Sequence, residues 1–222
     1  MLSTEDDKYF FTVNTVTYEK TGEPARYFNR NTVEVFEKKI GGGDLAKDIY
    51  KKKYNVYFCS NDNTKIFNIK FKEPVHNLSI LGNNLKEIKS LPKGLMSLWL
   101  QGIPKGYKMS LKIVPKTIVS IFYRWTDYTL GEDLTSLKKL KVFGVPGNHM
   151  IFSVPKFPKG IEYIDLSDCQ IGRFDDHGLL NFNLKDYPNI KYVNFSGNYI
   201  KKIPAEWKKK SEVKIIYNKQ RK

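Results

Sequence analysis

Asp165, Asp168, Asp175, Asp176 and His177 are the residues best suited by type to move protons, since a carboxylate near an imidazole is a common general acid–base pair. Their spacing puts the first two on a turn and the rest on an insertion, which reads as solvated polar surface. Gly41, Gly42 and Gly43 precede a helical pattern opened by Asp44, and amides at such a place can hold a phosphate; no Gly-Lys-Ser/Thr follows, so the run reads as a flexible connection. Cys59 and Cys169 are far apart, His76 and His149 stand alone, and no Cys/His set has metal-ligand spacing, so neither a disulfide framework nor a metal or other cofactor is expected. Asn77-Leu-Ser79 and Asn194-Phe-Ser196 fit the glycosylation acceptor pattern but read as strand residues behind an acidic start, MLSTEDDKYFF, that lacks a secretory leader's features. No nucleophile, base and stabiliser converge, and the expectation is a chain that is not an enzyme.

The elements that position these residues belong to a chain with a substantial core: 222 residues, 41% hydrophobic and 14% aromatic. The net charge of +15 comes mainly from lysine, arginine occurring only at positions 26, 30, 124, 173 and 221. Such a field attracts nucleic acid, anionic lipid or an acidic protein. No apolar run approaches membrane-spanning length. The expected location is the cytoplasm or, for a chain delivered into another cell, that cell's cytosol or nucleus.

Repetition organises most of the chain. VHNLSILGNNL from Val75 and IKYVNFSGNYI from Ile190 fit the pattern L-x-x-L-x-L-x-x-N-x-L throughout, with Asn83 and Asn198 at the turn. Shorter copies begin at Leu95, Ile118, Leu137, Ile161 and Val213. The spacings are 20, 23, 19, 24, 29 and 23 residues. LPKGLMSL, VPKTIVSI and FPKGIEYI each set Pro-Lys shortly ahead of a strand, where proline breaks no ladder.

On these motifs the chain resembles the leucine-rich-repeat family from Val75 to about Asn218, and its short Pro-containing repeats look like those of bacterial effectors and of some protist and viral proteins. Effector-ligase chemistry is not expected, because no ligase domain with a catalytic cysteine follows the repeats. The resemblance implies an α/β solenoid whose parallel concave sheet has about seven short strands. One unit cannot bury its apolar face alone, whereas stacked neighbours share a core. The turn asparagines then bond backbone groups, a role Cys169 or Thr126 can partly fill. Leu179, Leu180 and Leu184 fit a helical convex segment, and the lysine-rich end fits a cap.

Strand alternation turns this register into a surface. It predicts a concave face bearing Trp99, Phe122, Arg124, Phe143 and Tyr163, with Trp125 at the edge and Lys139, Lys141 and Asp165 adding charge. Trp, Tyr and Arg dominate interface energetics, so these nine residues form the candidate site for a partner protein, expected to be acidic. Nucleic acid is the second reading, as aromatics among basic residues can stack bases and meet phosphates. A fold-over of the amino-terminal part, or a slip of register in an irregular unit, would instead hide the aromatics. That part, 1–53, reads as a small α+β subdomain with a hairpin and a short helix, and 54–222 as the solenoid with its caps.

Overall fold

The computed structural model describes residues 18–20, 55–59, 66–67, 69–71, 75–81, 87–103, 107, 109–124, 133–174, 179 and 182–221. The expected hairpin partner, glycine loop and helix within 1–53 lie outside these residues, as do Asn83, Trp125, Thr126, Asp175, Asp176, His177 and Leu180. In chain order the strands are β1 (Tyr18–Lys20), β2 (Asn55–Cys59), β3 (Ile66–Phe67), β4 (Ile69–Phe71), β5 (Asn77–Leu81), β6 (Glu87–Ile88), β7 (Ser97–Gln101), β8 (Ser120–Arg124), β9 (Val142–Gly144), β10 (Tyr163–Asp165), β11 (Tyr192–Asn194) and β12 (Lys214–Ile216).

A parallel sheet of eight strands in the order β12-β11-β10-β9-β8-β7-β5-β2 forms the spine of a solenoid. The sequence leads to an expectation of about seven strands; the sheet has eight, β2 lying beside β5 at its amino-terminal edge. Two small pairs accompany it, β1 with β4 antiparallel and β3 with β6 parallel. Before β7, β8 and β10 comes a tight turn. Leu95 N donates to Pro92 O, Ile118 N to Pro115 O and Ile161 N to Pro158 O, at 3.0, 3.1 and 3.1 Å. The Pro-Lys pairs therefore open the turns that deliver the first inward residue of these three repeats, proline supplying only the accepting carbonyl, a role that needs no N–H.

Alternation along each strand sends one row inward: Leu78, Leu98, Ile121, Phe143, Ile164, Val193 and Ile215 lie opposite one another across the ladders. All pack in one continuous hydrophobic core with the rows on either side. Near the carboxy-terminal end Trp207, only 1% exposed, packs against Phe182 and Phe195 at centroid distances of 5.5 and 6.2 Å. Of the expected helical convex segment, the described part holds a 3₁₀ turn, Leu184–Asp186, capped by Asn183 Oδ1 and holding Leu184 in the core.

The register differs from expectation in two repeats. Phe143 faces Ile121 and Ile164 across the ladders and is buried in the core, so it does not lie on the concave face. The unit begins at Leu140 rather than Leu137 and reads Leu140-x-x-Phe143-x-Val145-x-x-Asn148, which turns the uneven intervals of 19 and 24 residues into 22 and 21. In the last unit a slip of one puts Ile215 and Tyr217 against the core and Lys214 and Ile216 on the opposite face.

Candidate functional site

The described turns leaving β7, β9, β10, β11 and β12 share a backbone feature. The fifth position after the first strand residue takes positive φ, at Gly102, Gly147, Asp168, Gly197 and Lys219. In the last three of these turns a polar side chain one residue later reaches back to the previous repeat, buried at Cys169 and Asn198 and partly buried at Gln220: Cys169 Sγ donates to Val145 O (3.3 Å), Asn198 Nδ2 to Leu166 O (2.7 Å) and Gln220 Nε2 to Phe195 O (2.8 Å). The two amides also accept, Asn198 Oδ1 from Ile171 N and Gln220 Oε1 from Ile200 N. A thiol makes a weaker form of that exchange, Cys169 Sγ also accepting from the Asn148 backbone N–H. Burial pushes the Cys169 thiol above its ordinary pKa, which makes it a structural donor rather than a nucleophile.

Asp165 Oδ1 accepts from Ser167 N (3.0 Å) and Ser167 Oγ (2.7 Å), and Asn194 repeats the arrangement with Ser196 one strand away. The carboxylate braces its own turn. Asp168 sits over Gly197, where a Cβ would collide with it, and lies 3.7 Å from Arg221. Neither acid is part of a metal cluster, none being present among the described residues.

The concave face divides into two halves. Trp99 and Phe122 stand directly opposite each other on β7 and β8 and point away from the main core, as the sequence register predicts. They are not solvent-facing, however: at 3% and 4% exposure they form a buried pair of their own, rings 4.9 Å apart. Ser97, Ser120 and Val142 beside them are buried too. Gly144, across the ladder from Phe122, is what admits the ring, since a Cβ there would fall 2.5 Å from two of its carbons. The amino-terminal half of this face is thus packed, and the sequence expectation of an exposed Trp99–Phe122 hot spot is corrected.

The other half is more open. Tyr163 and Tyr192 lie side by side across the β10–β11 ladder, both partly exposed, and Lys214 on β12 places its ammonium 5.7 Å from the Tyr192 ring centroid. Along the approach to these strands Glu162 holds Lys141 Nζ at 2.9 Å and Lys191 Nζ at 2.7 Å. Burial raises the Glu162 pKa, but the hydrogen bonds from the two ammonium groups outweigh it and leave the carboxyl below its ordinary range. Lys141 therefore joins an ion triad beside the sheet, and Lys139 is exposed on the turn before it. Of the nine expected site residues, Tyr163 and Asp165 lie on the open half, Lys139 and Lys141 border it, and Trp99, Phe122 and Phe143 are packed. Arg124 ends β8 with its side chain outside the described residues, and Trp125 lies outside them altogether. Tyr192, Lys191 and Lys214, which the sequence reading does not single out, stand beside Tyr163 on this half or at its border.

No helix among the described residues is long and apolar enough to cross a membrane. No protein-family model matches the chain, and no curated protein matches it.

Proposed function

We propose that the chain is a non-enzymatic recognition module of the leucine-rich-repeat kind that takes a protein partner on the open, carboxy-terminal half of its concave sheet. The observation that carries this reading is the pair Tyr163 and Tyr192, aligned in register and partly exposed on a rigid ladder, with Lys214 beside them. Tyrosines fixed by strands lose little entropy on contact and combine an apolar ring with a polar tip, which suits them to anchor an interface. The lysines bordering the sheet favour an acidic partner and speed its approach. Support for the repeat family comes from the side chains of Cys169, Asn198 and Gln220, each tied to the preceding repeat.

The test compares proteins retained from a cell extract by the wild type and by a Tyr163→Ala/Tyr192→Ala variant, followed by titration of the purified partner. A specific partner should be lost by the variant, each tyrosine contributing on the order of 2 kcal/mol of binding. Retention of every protein by the variant at unchanged affinity would refute this site.

A further inference from the structure

The turns ahead of the strands carry a second surface. Their second position is lysine in four consecutive repeats: Lys93, Lys116, Lys138 and Lys159, all exposed. The hydrogen bonds Leu95 N to Pro92 O, Ile118 N to Pro115 O, Leu140 N to Leu137 O and Ile161 N to Pro158 O give the four turns the same geometry. The turns also touch in sequence order. Thr117 Oγ1 donates to Lys93 O at 3.1 Å, Lys116 Nζ reaches Ser136 O at 3.5 Å, and Gly160 lies against Lys138 O, a Cβ there falling 3.9 Å away. The four exposed lysines consequently form a ridge along the solenoid axis, one per repeat, carried by turns that follow the strand spacing of about 4.8 Å and span roughly 14 Å in all. Asp133 lies near Lys138, and the ion-pairing acid Glu162 serves Lys141 and Lys191 instead of the ridge.

We propose that this ridge binds the phosphate backbone of single-stranded nucleic acid. Lysine is a point charge on a long flexible stem, able to meet successive phosphates without demanding a fixed geometry. A row with one charge every few ångströms matches a linear polyanion better than a folded acidic surface. The ridge lies on the turns and not on the sheet, so a strand bound there leaves the Tyr163–Tyr192 face unoccupied, and the inference stands apart from the protein-recognition reading.

The test uses the full chain, labelled 20-nucleotide oligo-dT and oligo-U, and a Lys93→Gln/Lys116→Gln/Lys138→Gln/Lys159→Gln variant. Its control carries the same charge loss elsewhere, at the exposed Lys112, Lys185, Lys202 and Lys209. At about 0.7 counterion per phosphate contact, four contacts give a log–log salt slope of about −2.8, or about fifty-fold weaker binding at 200 than at 50 mM salt. The ridge variant should lose that slope while the control keeps it. Equal losses in both variants, no loss in either, tighter binding of duplex than of single strand, or displacement by polyglutamate at equal charge concentration would each overturn the proposal.

Discussion

Glu162 shows how a single side chain links neighbouring repeats. Its carboxylate is largely removed from water, a cost met by two charged hydrogen bonds from the repeats on either side. Because its folded pKa lies below the ordinary value, the stabilisation is present above the unfolded-state pKa and is lost as pH falls through the folded one. Glu162→Gln should therefore be less stable than wild type at neutral pH, by about 1 kcal/mol given the solvent screening at the lysine ends. The gap should close as the pH falls below the ordinary carboxylate range, as followed by urea midpoints across that range. Asn198 makes the same kind of link in the interior with neutral groups, donating to three carbonyls and accepting from one amide. Its role was legible in the sequence because the asparagine ends a complete repeat pattern. Asn148, in the equivalent place, was not, because the repeat had been started at the wrong leucine.

At the scale of elements, the reason for that error is physical. Leu134, Leu137 and Leu140 recur every three residues, and all three are fully buried, so apolar pattern alone offers three starting points. The Pro-Lys signal that fixed the turns before β7, β8 and β10 is missing there, and successive turns Leu134–Leu137 and Leu137–Leu140 occupy the ambiguous stretch. Only the ladder with β8 and β10 identifies Phe143 as inward. That ladder also explains Gly144, whose missing side chain makes room for Phe122. Gly144→Ala should force the ring aside and cost about 1–3 kcal/mol in urea unfolding, as overpacking does. Adding Phe122→Leu should recover part of the loss, so that the two substitutions are not additive. Additive costs would show that the ring and the glycine do not share this space.

Seen as a whole molecule, the solenoid uses its aromatic residues in three ways. Phe157, Phe182, Phe195 and Trp207 fill the carboxy-terminal core. Trp99 and Phe122 pack on the opposite side of the sheet, and Tyr163 and Tyr192 remain partly open to solvent. Sequence alternation places both of the latter pairs on one face correctly. It carries no information about what buries one half of that face, because burial there depends on contacts beyond the strands themselves. The assignment of structural and recognition roles within the face rests on that difference. Its most direct test is the urea unfolding free energy of Trp99→Ala/Phe122→Ala beside that of Tyr163→Ala/Tyr192→Ala. Removing the buried rings should cost at least about 3 kcal/mol, whereas removing the partly exposed tyrosines should cost about 1 kcal/mol or less. An unchanged stability in the first variant, or a loss in the second as large as that expected for the first, would contradict the division of the concave face.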